Sequence, residues 1–316
     1  MNRSRYQDAL ESIPPVGQGR HPALLGIANL GVLAGLDGQR IFRDIQDAMP
    51  QGNQRIPDRE IHSAINKALS DYNGGVFIPK ARPEPIIKNG KAVLQRIIEQ
   101  GKYSDEADLW EASSINLYDK PRKDTILLLE TLYKQDDLLW MGERYDTGII
   151  GDTIRSRNAW ISYFEKGGIP AAHIIPNPLN GVKVATKNGE KPTLRGDNNV
   201  KEYRFCMAEF DNLTREDQIR FWSGVKLPIV CLIDSGGRSI HAWIQISKLV
   251  EPNITTSEQW QADIKEDLYA QLLTPMGVDG ACSNPARLSR LPGHYRQSKR
   301  AWQRLLWLSP EGREIC

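Results

Sequence analysis

The sequence contains the stretch Phe205-Cys206-Met207-Ala208-Glu209-Phe210-Asp211, in which an apolar and aromatic run ends in two acids. Such a run predicts a buried strand. Because residues i and i+2 of a strand lie on one face, Glu209 and Asp211 are expected to project together while Phe210 faces the core. Two neighbouring carboxylates repel each other unless a cation neutralises them, so the pair suits a divalent metal ion. The same pair also fits a strand that runs out into solvent, and the stretch alone leaves both interpretations open.

A glycine turn between two apolar runs follows downstream. Residues 227–232 and 243–246 predict two strands, and residues 235–239, Ser-Gly-Gly-Arg-Ser, predict a tight turn between them. The backbone amides of this turn, with the side chains of Arg238, Ser239 and His241, form a candidate cradle for a triphosphate. A Gly-Gly hairpin is also common in proteins that bind no phosphate, so the turn alone does not establish a site.

The third stretch combines one isolated acid with a cluster of basic residues. Asp279 is followed, from residue 280 to residue 310, by no acidic residue. The basic residues of that interval are Arg287, Arg290, Arg296, Lys299, Arg300 and Arg304. Leucine and tryptophan are interleaved with them, so this positive charge is expected to lie against a core, where it suits a phosphate-rich partner. For each arginine the alternative is a surface ion pair.

Together the three stretches resemble the motifs of the archaeo-eukaryotic primase superfamily, the primase-polymerases often found on phages and mobile elements. The family motifs are an acid pair spaced by one residue, a Ser-x-His on a hairpin, and an apolar-Asp followed by a basic Arg-Leu-Pro-Gly-like run. The matching residues here are, in turn, Glu209 and Asp211, Ser239 and His241, and Asp279 with residues 287–293. The resemblance covers roughly residues 120–310. It departs from the family in one respect, because the first motif is usually Asp-first and here begins with Glu, although either acid can ligate a metal ion.

The resemblance implies an α+β fold, in which an N-terminal helical region precedes a primase-like catalytic domain with an RRM-like mixed sheet and flanking helices. It also implies synthesis or extension of primers on single-stranded DNA from nucleoside triphosphates by two-metal catalysis. Two Mg²⁺ or Mn²⁺ ions would be held by Glu209, Asp211 and Asp279. The residues implied for nucleotide binding are Ser235, Gly237, Arg238, Ser239, His241, Arg287 and Arg290. Those implied for DNA binding are Arg195, Arg296, Lys299 and Arg300.

Two other functions remain open from the sequence. The same acids and metal ions could hydrolyse a phosphodiester, which would make the chain a metal-dependent nuclease. Alternatively the site is catalytically degenerate, and the chain is a nucleic-acid-binding replication module whose helical region does the recognition. Because the sequence lacks a Gly-x-x-x-x-Gly-Lys-Ser/Thr motif, a separate helicase or other replication protein is expected to unwind duplex DNA.

Composition and helical periodicity predict the class and the domains. The 316 residues are 40% hydrophobic and 25% charged, with a net charge of +2, which is typical of a globular protein. No signal-peptide pattern is present and the longest apolar run, residues 23–36, is too short to span a bilayer, so a cytoplasmic protein without membrane association is expected. The four cysteines lack Cys-x-x-Cys spacing, which argues against a zinc site. The predicted domains are a helical bundle over 1–80, a linker with Pro79, Pro83 and Pro85 and connecting helices over 81–120, and a catalytic domain over 121–316.

Overall fold

The computed structural model describes residues 2–13, 20–48, 58–73, 76–77, 87–185 and 192–315. The chain divides into two compact units, residues 1–83 and residues 84–316. The proline-containing stretch expected to act as a linker, with Pro79, Pro83 and Pro85, lies outside the described residues.

The first unit is helical, with a short hairpin at its end. Its elements are α1 (Asn2–Glu11), α2 (Arg20–Leu33), α3 (Gly38–Asp47), α4 (Asp58–Asp71), β1 (Tyr72–Asn73) and β2 (Val76–Phe77). Asp37 starts α3, because its side chain accepts a hydrogen bond from the Arg40 amide at 2.8 Å and satisfies one of the free amides of the first turn. Ile41 and Ile45 of α3 are fully buried, and they pack with Ile61 and Ile65 of α4 in one core.

The helices of the second unit surround its sheets. They are α5 (Gly90–Gln100), α6 (Glu106–Glu111), α7 (Lys123–Leu132), α8 (Arg157–Glu165), α9 (Arg215–Gly224) and α10 (Ser257–Gln259), which continues as a π-helix over Trp260–Leu273. The sequence predicted a linker and connecting helices over residues 81–120. In the structure residues 87–120 belong to the second unit, where α5 packs closely against α9. A Cβ on Gly224 would lie 2.4 Å from the Ile97 carbonyl oxygen, so only glycine allows this approach of the two helices.

Two four-stranded sheets form the centre of the second unit. Its strands are β3 (Leu138–Gly142), β4 (Ile154–Ser156), β5 (His173–Ile174), β6 (Phe205–Ala208), β7 (Ile229–Asp234), β8 (Ile240–Gln245), β9 (Ser289–Arg290), β10 (Tyr295–Arg296), β11 (Ala301–Trp302) and β12 (Arg304–Arg313). The strand orders are β12-β7-β8-β6 in the first sheet and β4-β3-β5-β9 in the second, while β10 and β11 form a separate hairpin. Because helices pack against sheets whose described ladders are antiparallel, the fold belongs to the α+β class, as predicted.

The resemblance predicted a mixed sheet, with parallel and antiparallel strands. This prediction was wrong for the described strands, because all ladders between them are antiparallel. The reason lies in the connections. β7 and β8 are joined by a short turn, which forces antiparallel pairing. β6 runs in the same direction as β7, but β8 lies between them, so the two never pair.

Burial on both faces explains why β7 and β8 are nearly continuous apolar runs. Residues 229–233 and 240–244 are buried throughout. The largest side chains of the core include Trp222, Trp243 and Trp307, each fully buried. Burying an aromatic or aliphatic side chain of this kind stabilises a fold by about 1.5–3 kcal/mol, so these strands form a rigid base for the residues at their ends.

A single buried asparagine ties the start of β6 to two distant loops. The Asn177 side chain donates to the carbonyl oxygens of Phe205 at 2.8 Å and Pro285 at 2.9 Å. Its oxygen accepts from the amides of Arg204 at 2.8 Å and Phe205 at 2.9 Å. All four hydrogen-bonding positions of the amide group are therefore used. The contact with Pro285 holds the chain that follows Asp279 beside β6.

A buried carboxyl joins α7 to β12. Asp124 Oδ2 accepts hydrogen bonds from Arg304 Nε at 2.7 Å and from the Leu305 amide at 3.1 Å. Its other oxygen has no hydrogen-bond partner among the described residues. Burial is the largest influence on this group and raises its pKa to about 6, although Arg304 and the Leu305 amide oppose the shift.

Asp124→Asn is therefore expected to change how stability depends on pH. The folded-state pKa of about 6 exceeds the usual value of 3.8, so the contribution of this carboxyl to stability is complete below the usual value and is lost as the pH rises through about 6. The free energy of unfolding, measured by chemical denaturation at pH 5 and pH 8, should fall by about 1 kcal/mol more in the wild type than in the variant. If the free energy of unfolding changed equally with pH in the two proteins, the raised pKa of Asp124 would be contradicted.

Candidate active site

The backbone brings two of the predicted acids together. β6 ends at Ala208, and Glu209 follows it directly. The Asp279 amide donates a hydrogen bond to the Glu209 carbonyl oxygen at 2.9 Å. Asp279 also begins a 3-10 helix over Gly280–Ser283, because its Oδ1 accepts from the Ala281 amide at 2.9 Å. The hydrogen bond between Asp279 and Glu209 positions the third sequence stretch beside the first, and the local one fixes the Asp279 side chain.

Cys282 lies between the two carboxylates. Its Sγ is 3.7 Å from Glu209 Oε1 and 3.6 Å from Asp279 Oδ2, and the side chain is fully buried. Burial, together with the nearby acids, raises the pKa of this thiol far above its usual value, so the sulfur is protonated. One ligand atom from each of Glu209, Asp279 and Cys282 lies within 4.8 Å of the others.

Asp211 stands at the exposed edge of this cluster. Phe210 is buried against Phe221 and Trp222, with ring centroids 4.8 and 5.6 Å away, so the core side of the predicted alternation is present. Burial raises the pKa of the Asp211 carboxyl, and the negative charges of Glu209 and Asp279 raise it further. The Asp211 carboxylate is therefore repelled by both acids, so negative charge is in excess around it.

The register of β6 and β8 places Glu209 beside His241. Ala208 pairs with Ala242, so the next residue of β6 meets the preceding residue of β8. His241 Nε2 lies 3.1 Å from Glu209 Oε2. Burial is the largest influence on the Glu209 carboxyl and opposes ionisation, but hydrogen bonds from His241 and Ser239 and the charge of Arg287 outweigh it and lower its pKa to about 2. Glu209 is therefore ionised at neutral pH.

Both ring nitrogens of His241 are occupied by protein groups. Nδ1 lies 3.1 Å from Ser289 Oγ and accepts a hydrogen bond from the Arg290 amide at 3.3 Å. Because a backbone amide can only donate, Nδ1 is an acceptor and the ring proton lies on Nε2, facing Glu209. Trp243 Nε1 donates to the same Ser289 hydroxyl at 2.7 Å, which leaves the hydroxyl proton for His241. The imidazole predicted to bind a triphosphate is thus buried and directed at a carboxylate.

The glycine turn lies between β7 and β8, as predicted. Gly236 has a positive φ of 62°, and its amide donates to Asp234 Oδ1 at 2.8 Å. Arg215 pairs with the same carboxylate at 2.8 Å, which holds the base of the turn. A Cβ on Gly237 would lie 2.8 Å from Arg296 Nη1, so a larger residue would push this arginine away from the turn.

Two clefts flank the acid cluster. The turn cleft, of about 870 Å³, is lined by polar groups that include Asp211, Gly237, Arg238, Arg290, Arg296 and Lys299. The inner cleft, of about 300 Å³, is lined by Arg144, His173, Glu209, His241, Arg287 and Arg290, among others. Ser235 and Ser239 also line the turn cleft. Arg290 contributes to both clefts and therefore lies between them.

His173 and Arg290 are brought together by the pairing of β5 with β9. Arg290 Nη1 lies 2.9 Å from His173 Nε2. Burial is the main cause that lowers the pKa of His173 to about 3, and the charge of Arg290 adds to it. His173 is therefore neutral at physiological pH and accepts a hydrogen bond from the guanidinium, which orients Arg290 between the clefts.

The basic residues predicted to bind DNA occupy different environments. Lys299 is exposed in the turn cleft, whereas Arg296 Nη1 donates to the Ser235 carbonyl oxygen at 2.9 Å and closes the turn. Arg300 is exposed, has a positive φ of 51° between β10 and β11, and does not line either cleft. Arg195 lines neither cleft. Its guanidinium donates to the carbonyl oxygens of Asp146 and Arg144 and covers the Trp140 ring at 4.7 Å.

Several groups of the site were missed from the sequence. Cys282 was interpreted only as a scattered cysteine, although its spacing of three residues from Asp279 would place the two on one side of a helical turn. Arg144 and His173 come from segments far from all three stretches, and no pattern in the sequence marks them. Asp197 was also missed. It holds the chain after Cys282, because its Oδ1 accepts from Asn284 Nδ2 at 3.0 Å and from the Ala286 amide at 3.2 Å.

The donor set fits a hard divalent cation. Carboxylate oxygens are the ligands that Mg²⁺ and Mn²⁺ prefer, and the excess negative charge felt by Asp211 is the condition that a cation would relieve. Cys282 adds a softer donor, which favours Mn²⁺ over Mg²⁺ if the thiol loses its proton. Arg287 Nη2 lies 3.4 Å from Asp279 Oδ2, so a metal ion would compete with this arginine for the carboxylate.

A further cavity, of about 590 Å³, lies at the opposite end of β6, where Tyr133, Phe205 and Ile254 contribute to its wall. The basic groups Lys134 and Arg204 there are both paired with Glu202, at 3.6 and 2.7 Å. This cavity is larger than the inner cleft, but no cluster of acids faces it among the described residues. The chemistry therefore points to the acid cluster.

No protein-family model matches the chain, and no curated protein matches it. Among solved structures, the chain is similar to the AEP domain (PP-N190) of the cyanophage S-2L primase-polymerase (PrimPol). The two share 17% sequence identity and superpose with a TM-score of 0.41, over 61% of this chain and 94% of that domain. Within the described ranges, none of the helices combines the length and the apolar character needed to cross a membrane.

Proposed function

We propose that this chain is a template-dependent nucleotidyltransferase of the primase-polymerase type, which extends primers on single-stranded DNA from nucleoside triphosphates. The observation that carries the proposal is the contact of Glu209 with Asp279, with Asp211 beside them, between two clefts lined by arginine and lysine. The order of the three sequence motifs adds to it. Nucleotidyl transfer needs this combination, because acids hold the cations and basic side chains hold the phosphates.

Glu209, Asp211 and Asp279 are the proposed ligands of Mg²⁺ or Mn²⁺. Bound cations of this kind lower the pKa of an attacking hydroxyl and offset the negative charge at the phosphate under attack. The chain itself keeps the ligands ready. His241 and Ser239 hold Glu209 ionised, and the hydrogen bond from the Ala281 amide fixes Asp279. Little rearrangement of these carboxylates is then needed at the moment of reaction.

The turn cleft is the proposed place of the triphosphate. Arg238 and Lys299 are exposed there, and Gly237 presents backbone without a side chain. Arg290 lies at the junction of this cleft with the acids, so it can meet the phosphate nearest to the reacting centre. Ser235 is buried and Arg296 is bonded to its carbonyl oxygen, so these two residues shape the turn that meets the nucleotide.

The test is a primer-extension assay on a single-stranded template with Mn²⁺ or Mg²⁺, carried out with and without a primer. Ribonucleotides and deoxyribonucleotides are compared in parallel reactions. Products longer than the primer, whose formation needs both template and metal ion, are expected. If the labelled strand instead shortens, the chain is a nuclease. If it remains unchanged while the protein still binds DNA, the chain is a binding module without catalysis.

A further inference from the structure

A loop with an unusually exposed tyrosine lies next to the inner cleft. It comprises residues 143–153, between β3 and β4, and is called the tyrosine loop here. Tyr145 is 81% exposed, and Ile149 and Ile150 of the same loop are 56% and 58% exposed. Large apolar groups that one loop exposes indicate contact with a partner. Arg144 of the same loop lines the inner cleft together with Glu209.

Hydrogen bonds within and around the tyrosine loop define its conformation. Arg195 holds the loop through the carbonyl oxygens of Asp146 and Arg144. Asp146 Oδ1 accepts from the Gly148 amide at 2.8 Å, where a positive φ of 84° turns the chain. The Ile149 amide donates to Thr153 Oγ1 at 2.8 Å. The loop is therefore held in one shape, and its tyrosine is presented to solvent at low entropic cost.

The arginine beside Tyr145 and the arginines of the inner cleft favour a nucleic acid. The Arg144 guanidinium lies 5.7 Å from the centre of the tyrosine ring, and Arg144 also lines the inner cleft with Arg287 and Arg290. Positive groups thus extend from the acid cluster to the ring. The loop also carries three acids: Asp146, which accepts from the Gly148 amide, Glu143, which accepts from the Ala172 amide at 3.4 Å, and Asp152, which is exposed. An exposed aromatic ring beside phosphate-binding arginines is the arrangement by which proteins stack single-stranded bases.

We propose that Tyr145 stacks on a base of the single-stranded DNA that enters the inner cleft, while Arg144 contacts the adjoining phosphate. This inference rests on the proposed function, because it names the surface that receives the template strand. Arg195 is then a positioning residue that holds the tyrosine loop, which replaces the direct DNA contact predicted for it.

The test measures binding of a fluorescent single-stranded oligonucleotide to the full chain. Tyr145→Ala is expected to weaken binding about tenfold or more, whereas Tyr145→Phe should stay close to the wild type because it keeps the ring. Tyr118→Ala is a matched control, since Tyr118 is an exposed tyrosine with Lys123 Nζ 4.9 Å from its ring and does not line the two clefts. Its binding should equal that of the wild type. Equal binding by Tyr145→Ala, or equal weakening by both tyrosine-to-alanine variants, would overturn the proposal.

Salt dependence separates stacking from charge. Arg144→Ala is expected to reduce the slope of log affinity against log salt concentration by about one, because one phosphate contact is lost, whereas Tyr145→Ala should leave that slope unchanged. An oligonucleotide that carries 2-aminopurine should show fluorescence quenching with the wild type and not with Tyr145→Ala. Absence of quenching with the wild type would contradict stacking.

Failure of this inference can be told apart from failure of the proposed function. If the wild type binds DNA through Tyr145 but extends no primer, the proposed catalysis fails and the stacking surface stands. If it extends primers while Tyr145→Ala binds normally, the stacking surface fails and catalysis stands.

Discussion

Asp279→Asn is expected to lower the rate of nucleotide addition by about 10³-fold or more. The change removes one negative charge from the cluster formed with Glu209 and Asp211, and a neutral amide is a much weaker ligand for Mg²⁺ or Mn²⁺. Local structure should persist, because the asparagine side-chain oxygen can still accept the hydrogen bond that Asp279 Oδ1 receives from the Ala281 amide. The loss is therefore expected to come from chemistry and not from unfolding.

Single-turnover extension of a primed template measures this loss, and thermal unfolding and Mn²⁺ titration of the same variant accompany it. The expected pattern is a normal unfolding temperature, weakened Mn²⁺ binding and almost no extension. Asp267→Asn is the matched control, since Asp267 is exposed on the π-helix and bonds only to Gln271 among the contacts described for it. Extension at the wild-type rate by purified Asp279→Asn would remove this acid from the proposed metal site.

His241→Ala is expected to have the second largest effect, of about 10²-fold or more on the maximal rate. The imidazole donates to Glu209 and accepts a hydrogen bond from the Arg290 amide, so its loss releases a proposed metal ligand and leaves a partly buried amide without its partner. The concentration of Mn²⁺ needed for half-maximal extension should rise. His241→Gln should recover part of the activity, because its amide nitrogen can donate to Glu209 in place of Nε2.

The pH profile distinguishes positioning of Glu209 from direct contact with the nucleotide. Hydrogen bonds from His241 and Ser239 outweigh burial and keep the pKa of Glu209 at about 2. Removing the imidazole removes one of them, so the pKa of Glu209 should rise, and the acid limb of activity should move to higher pH. If the Michaelis constant for the nucleotide rises while the Mn²⁺ requirement and the pH profile stay unchanged, His241 contacts the triphosphate, as its Ser-x-His motif suggests.

Local features of the fold followed from the sequence. The spacing of Ile61 and Ile65 predicts one buried helix face, and both residues are buried on α4. The apolar character of residues 205–208 predicts a strand, and Phe210 packs into the core as the alternation requires. The glycines at 236 and 237 predict the turn between β7 and β8. These features depend on backbone preference and on the face that each residue presents, which a short window of sequence records.

The motifs did not reveal the contacts of a side chain whose partner lies far away in the chain. His241 was predicted to bind phosphate from its motif, but the register of β6 and β8 places it against Glu209. The DNA contact of Arg195 stays a prediction, and its guanidinium donates to backbone carbonyl oxygens of the tyrosine loop. A motif identifies the chemical groups available, whereas hydrogen bonds with distant segments determine which of those groups remain free.

By itself, the sequence determined the kinds of groups that this protein can bring to a site: three acids, a glycine turn and a basic segment without acids. Only the tertiary structure decided that Cys282 lies between Glu209 and Asp279, that His173 orients Arg290, and that Tyr145 is exposed beside Arg144. The reason is physical. Periodicity reports which face of its own element a residue occupies, but contact between elements depends on strand register and on the packing of the whole core.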